Sequence, residues 1–317
     1  MNPIKRLLAR RLVIVLGKGG VGKTVFSAAL ATVAARAGFR TLAMECDPRA
    51  PLLAMFGKHP SFDPVAISTG LSSMVVDGRR SLDEYLQLVL PARLILKAVF
   101  ASRLYQYFVH AAPGLQELMM LGKIYFEIAQ KKPAAARSDL ILLDAPSSGQ
   151  ALGLLKMPSA AQDTFGNSIV GRESSNIDRL LHDQRRCAIV LVATPEPLAL
   201  QETIETKRAL AEAGFLTAAI ILNRSSSFGF DQSDVTLFKR NALLRRQLGT
   251  LDHLGSIASA GLERDRAARE AIATLSEGGD AAVVPIPDFR GLAGSALLAA
   301  IVEVLGEKAQ RDAAESV

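Results

Sequence analysis

Eight residues near the N-terminus concentrate groups that handle phosphate. Gly17-Lys18-Gly19-Gly20-Val21-Gly22-Lys23-Thr24 satisfies G-x-x-x-x-G-K-[ST], directly after a short aliphatic run and before a helical pattern. Glycines let the backbone wrap closely enough for successive amides to point at phosphate oxygens, and a helix opening there adds the positive end of its dipole. In such a loop Lys23 neutralises the β- and γ-phosphates, and the Thr24 hydroxyl ligates Mg2+. The ligand that fits is ATP with Mg2+, bound along Gly19, Gly20, Val21, Gly22, Lys23, Thr24 and Val25.

Two carboxylates stand where the rest of such a site belongs. Asp47, in Glu45-Cys46-Asp47-Pro48, follows an apolar run that Pro48 stops. That puts it at the carboxyl edge of a sheet, where open α/β folds bind ligands and where a carboxylate can orient an attacking water. Asp144 closes the apolar run Leu140–Leu143. One acid ending an apolar strand is the Walker B arrangement, which holds Mg2+ through its water shell.

These residues need a sheet to position them. Aliphatic runs recur at Leu12–Leu16, Thr41–Glu45, Leu140–Leu143, Ala188–Val192, Ala218–Leu222 and Ala282–Ile286. Their length and continuity suit strands buried on both faces, and their alternation with helical patterns predicts a doubly wound, mostly parallel α/β sheet with right-handed crossovers. Helices are expected at about 23–37, 198–213, 232–250, 263–277 and 291–306. Ala-Gly-Phe closes the first at Gly38 and the second at Gly214. Between Ser81 and Lys132 the strand signal stops and apolar residues fall at helical spacing, among them Leu94, Val99, Phe100, Tyr107, Phe108, Leu118, Met119 and Met120. This predicts an all-helical insertion over 81–132 inside a single domain over 1–317. Its apolar surplus suits either a hydrophobic client or the insertion's own core.

Composition narrows the setting. Of 317 residues, 49% are hydrophobic and 21% charged, which excludes a largely disordered chain. Lys plus Arg exceed Asp plus Glu by 37 to 31, a mild +6 that permits a polyanionic partner without requiring one; no basic nucleic-acid face stands out. Cys46 and Cys187 form no C-x-x-C, so neither a disulfide framework nor a thiolate zinc cluster can be argued, and a reducing cytoplasm is the expected setting. No integral membrane segment is expected. Leu86 to Phe100 comes nearest to the roughly 18 apolar residues a span needs, but Pro91, Arg93 and Lys97 interrupt it. The basic start (Lys5, Arg6, Arg10, Arg11) reads as a solvated helical turn, with peripheral contact to anionic lipid as its other use, at roughly 1 kcal/mol per charge.

With a second lysine, Lys18, after its first glycine, the loop resembles the deviant phosphate loop of the SIMIBI P-loop NTPases. The segment from Asp144-Ala145-Pro146 through Gly149, Leu154, Leu155 and Pro158 is similar to the second switch of the ArsA-type ATPases, the arsenite-pump and tail-anchored-protein-targeting family. The chain looks like a bacterial single-unit member over roughly residues 11–306. The resemblance implies that Lys18 crosses a dimer interface to the partner's nucleotide, which with Lys23 and Asp47 makes the catalytic set. It implies that Gly149 senses the γ-phosphate through its N–H and that Asn223 binds the adenine edge with an amide that both donates and accepts. Pro287 would lie in the loop over the base. Two positions depart from the pattern: Pro51 stands where D-P-A-x-N has asparagine, and Gln150 replaces a histidine. The expected function is an ATP-hydrolysing switch, a homodimer or a heterodimer with a paralogue, whose Mg·ATP state is coupled to a client or partner. The rivals are a non-catalytic nucleotide-binding partner, which the two departures motivate, and a ParA/MinD-like positioning ATPase.

Overall fold

The computed structural model describes residues 2–89, 114–129, 138–225, 236, 252–277 and 281–310. Among them, strands β1 (Leu12–Gly17), β2 (Thr41–Glu45), β3 (Val65–Ser68), β4 (Leu71–Val75), β5 (Leu140–Asp144), β6 (Cys187–Ala193), β7 (Thr217–Leu222) and β8 (Ala282–Pro285) form one sheet. Its order is β3-β4-β2-β5-β1-β6-β7-β8. Neighbours run parallel except β3 with β4, which are antiparallel at one edge. The expected mostly parallel α/β fold is the observed one. Strand β1 lies between β5 and β6, so the loop that leaves it opens at the reversal in strand order, the crevice where such sheets bind ligands.

In chain order the helices are α1 (Pro3–Leu8), α2 (Lys23–Arg36), α3 (Pro51–Met55), α4 (Gly78–Val89), α5 (Leu115–Ala129), α6 (Ser148–Phe165), α7 (Ile169–His182), α8 (Pro197–Glu212), α9 (Asp252–Ser276) and α10 (Gly294–Gln310). Both faces of the sheet are covered. Leu12, Ile14, Leu16, Ile141 and Leu143 pack with side chains of α5, α6, α7 and α9, whereas Val13, Val15, Leu140 and Leu142 pack with α1, α2 and α10. Alternate residues of one strand thus serve two cores, and this is why the strands read as continuous apolar runs.

The N-terminus is the expected helical turn with Arg6 exposed, but only one side of it is solvated. Ile4, Leu7 and Leu8 are buried in the α2 and α10 layer, and Asn2 Oδ1 accepts the Ile4 amide at 2.8 Å ahead of Pro3. Burying such side chains contributes roughly 1.5–3 kcal/mol each, more than about 1 kcal/mol per charge from a lipid surface, so the helix docks. Gly38 and Gly214 close α2 and α8 at φ 91° and 82°, as the Ala-Gly-Phe signals indicate. Helix α9 begins at Asp252, well before the expected 263, and the expected helix at 232–250 lies, apart from position 236, outside the described residues. Strands β3 and β4 and helices α3, α6 and α7 add to the elements expected.

Of the expected insertion, residues 81–89 and 115–129 are helical. Leu94, Val99, Phe100, Tyr107 and Phe108 lie outside the described residues. Leu118 is 4% exposed and joins the main core with Leu121 and Ile124, so it is a packing residue; Met119 and Met120 are half-buried against the same core. No helix of the described residues is long and apolar enough to cross a membrane.

Candidate phosphate-binding site

Strand β1 delivers the glycine-rich loop to the carboxyl edge of the sheet. Gly17 pairs with Val192 of β6, and a Cβ on it would stand 2.3 Å from the Val192 carbonyl oxygen, so the strand can turn there only as glycine. Gly22 precedes α2 at φ 96°, where a Cβ would stand 2.3 Å from Asn223 Nδ2. At Gly19 and Gly20 a Cβ would meet nothing within 4 Å, which leaves open ground over the loop. Val21 is buried under it and Val25 half-buried in the first turn of α2.

The polar groups converge below. Lys23 Nζ donates to the Lys18 carbonyl at 3.1 Å, and burial holds its pKa below the usual lysine range against the opposing charges of Asp144 and Glu202. Thr24 Oγ1 donates to Asp144 Oδ2 at 2.7 Å and Ser27 Oγ to Asp144 Oδ1 at 3.1 Å. Burial pushes the Asp144 carboxyl up, while both hydroxyls and the Lys23 charge pull it down. Ser27 was not among the expected site residues. Its signal was its place three residues beyond Thr24, on the same face of a predicted helix. Thr24 and Asp144 offer hard oxygen donors of the kind Mg2+ takes. Among the described residues no three His, Cys, Asp or Glu side chains cluster as a protein-only metal cage.

Asn223, at the end of β7, braces the loop from the other side. Its Nδ2 donates to the Val21 carbonyl at 2.8 Å and its Oδ1 accepts from the Arg224 amide at 3.0 Å. The Ser225 amide donates to the Ile286 carbonyl at 2.8 Å, so exposed Pro287 sits on the chain beside it. Lys18 reaches along the loop to Glu202 of α8, 3.4 Å between Nζ and Oε2, and the other oxygen of Glu202 accepts from Ser148 Oγ at the start of α6. Gly149, next in α6, is exposed, and a Cβ on it would meet nothing within 4 Å.

The Asp47 loop leaves β2 beside these groups. Asp47 accepts from the Arg49 amide at 2.9 Å and pairs with its guanidinium at 2.7 Å, which holds the carboxyl below its ordinary range. Glu45 is fully buried, and its oxygens accept the Leu52 and Leu53 amides at 2.7 and 3.0 Å. Burial, with Asp144 and Asp47 adding negative charge, pushes its pKa up to about 7 against those hydrogen bonds. The strand, the loop, Thr24, Asp144, Asn223, Lys18 and Glu202 therefore form one continuous constellation, with Asp47 and Gly149 on the elements that flank it.

The profile of the anion-transporting ATPase family matches residues 10–174, more than half of the chain. ATPase BagA of Mycobacterium tuberculosis is 28% identical over 237 residues, which cover 73% of this chain and 69% of that one. ATPase ASNA1 homolog 1 of Paramecium tetraurelia is 31% identical over 150 residues, 46% of this chain and 43% of the relative. The arsenical pump-driving ATPase of Acidiphilium multivorum is 26% identical over 224 residues, 65% and 38% of the two chains.

Proposed function

Because this chain belongs to the anion-transporting ATPase family and is accordingly an ATPase, we propose that it works in the cytoplasm as a dimeric switch whose Mg·ATP state governs a client or partner. The observation that carries this reading is the convergence of Lys23, Thr24 and Asp144 at the edge where β1 turns into α2. Lys23 exchanges the Lys18 carbonyl for the β- and γ-phosphates. Thr24 and Asp144, already joined by a hydrogen bond, would hold Mg2+, Thr24 through its hydroxyl and Asp144 through the ion's water shell. Mg2+ held there would supply positive charge against the charge that develops on the phosphates. Asp47 accepts a hydrogen bond from the attacking water and so orients it, which requires that Arg49 give up the carboxylate. The Gly149 N–H meets the γ-phosphate, Asn223 the adenine edge, and the Pro287 loop covers the base.

Lys18 acts across the interface of a homodimer, or of a heterodimer with a paralogue. To do so it leaves Glu202, and a half-exposed ion pair worth about 1 kcal/mol or less is a small barrier to that exchange. The chain acts as one domain over 1–317 with the helical insertion 81–132 facing the client. A cavity of about 410 Å3 between α4, α5 and α7, walled by Tyr85, Met119, Phe126 and Ile177, supports that assignment.

Three variants test the reading. Lys23→Ala loses ATP binding, and Asp47→Asn keeps binding but loses turnover by roughly 100-fold, as for a missing proton acceptor. Lys18→Ala binds nucleotide yet fails to dimerise with a non-hydrolysable analogue, read by light scattering. Normal hydrolysis by Asp47→Asn moves water activation elsewhere, and a Lys18→Ala protein that dimerises and turns over normally returns Lys18 to a loop lysine.

A further inference from the structure

Glu45 has no part in the chemistry just described, yet it is the last residue of β2, fully buried at the rim of the site. Its backbone is fixed between two strands: Glu45 is in register with Val75 of β4 and Asp144 of β5, and the Val76 amide donates to its carbonyl at 2.8 Å. Its side chain reaches forward over the whole Asp47 loop to the amides of Leu52 and Leu53. Between these two anchors the chain makes one tight turn. The Ala50 amide donates to the Asp47 carbonyl at 2.9 Å, and Ala50 itself is held at φ 54°, a left-handed conformation that strains any residue with a Cβ. The turn projects Asp47 and Arg49 from a base that Glu45 closes.

The surroundings make the choice of residue informative. A buried carboxylate next to Asp144 and Asp47 is electrostatically unfavourable, and capping a helix of five residues needs no acid brought from the preceding strand. Of the common side chains, a carboxylate alone presents two acceptors to two neighbouring amides from this distance; glutamine would set its own NH2 against one of them.

We propose that Glu45 is a positioning residue for hydrolysis: by clasping the Leu52 and Leu53 amides it closes residues 46–53 into a loop of fixed shape and so sets where Asp47 stands over the phosphates. The proposal rests on the reading of Asp47 as the group that orients water. In the full-length chain, Glu45→Gln lowers kcat about tenfold or more, the scale on which small misplacements of a reacting group act. KM for Mg·ATP stays within about twofold, since the glycine loop is untouched. Trypsin cutting after Arg49 accelerates several-fold in the same variant, because the loop has lost one of its fastenings. Glu45→Asp, too short to span both amides, behaves alike and serves as the second variant. Wild-type kcat in either folded variant overturns the proposal where Asp47→Asn has lost turnover, and so does a raised KM with kcat intact, which would make Glu45 part of nucleotide binding. If Asp47→Asn hydrolyses normally, the reading of Asp47 has failed. The trypsin rate then decides whether Glu45 fastens the loop, and unchanged cutting overturns the clasp.

Discussion

The two aspartates that bracket β5 are treated in opposite ways. Asp139, just before the strand, is half-exposed and faces a fork of donors from Arg40: the backbone amide and Nε to one oxygen, each at 2.9 Å, and Nη2 to the other at 2.6 Å. The guanidinium holds that carboxyl down to about 2. Asp139 also ties strands together through its backbone, its amide donating to the Arg40 carbonyl at 2.7 Å and its carbonyl accepting from Arg11 at 2.9 Å. Asp144, at the far end, is 6% exposed, is met by two hydroxyls and the charge of half-buried Lys23, and is pushed upward by burial. The amino end of the sheet uses an acid whose charge is compensated on the spot. The carboxyl end keeps one whose burial is compensated only in part.

If that contrast is right, activity and stability separate between the two ends. The largest effect belongs to Asp144→Asn, which should lower ATP turnover by roughly 100-fold or more by weakening the hold on the metal. Its melting point should stay level or rise. A carboxyl whose folded pKa is raised loses stability as pH climbs through that pKa, and at neutral pH the amide carries no such burden. An Asp144→Asn protein that melts well below the wild type and still hydrolyses ATP would merge the two ends into one structural role.

Ser27→Ala sharpens the same end. It removes one of the two hydroxyls on Asp144 and leaves the carboxylate in place. The Mg2+ concentration for half-maximal rate should rise about tenfold, the usual cost of losing an outer-shell partner, with little change in melting. An unchanged Mg2+ requirement would mean that Thr24 alone orients Asp144.

Legibility in the sequence followed the range of the interactions. The places of the glycine-rich loop and of Asp144 could be read because one follows an apolar run in consecutive residues and the other ends such a run. Strand β4 escaped because Ser72 and Ser73 interrupt its run, and β3 because it is a short antiparallel edge strand with exposed alternate positions. Docking of α1 was visible in the i, i+3, i+4 spacing of Ile4, Leu7 and Leu8, but the basic residues between them pointed to solvent. The braces of the site join residues far apart in the chain, Asn223 to Val21 and Lys18 to Glu202, so spacing carries no trace of them. The Glu45 clasp spans only a few residues yet depends on the left-handed turn at Ala50, a conformation that an alanine does not announce.

The smallest effect is expected at Asp139 and is the one that tests the contrast by pH. Asp139→Asn keeps an acceptor for the Arg40 amide and loses the charge that meets the guanidinium, so turnover should match the wild type. Stability at neutral pH should fall by about 1 kcal/mol, solvent around a half-exposed pair screening the rest. The sign with pH follows from the depressed pKa. The stabilisation is fully present above the ordinary aspartate value near 3.8 and disappears as pH falls toward about 2, where the folded carboxyl also takes a proton. Urea midpoints of wild type and Asp139→Asn should therefore differ by a constant amount from pH 7 to about 5 and converge below about 4. A gap that persists unchanged to pH 3 would show that shape, not charge, holds the amino end of β5. A gap that opens as pH falls would reverse the assignment of the two aspartates altogether.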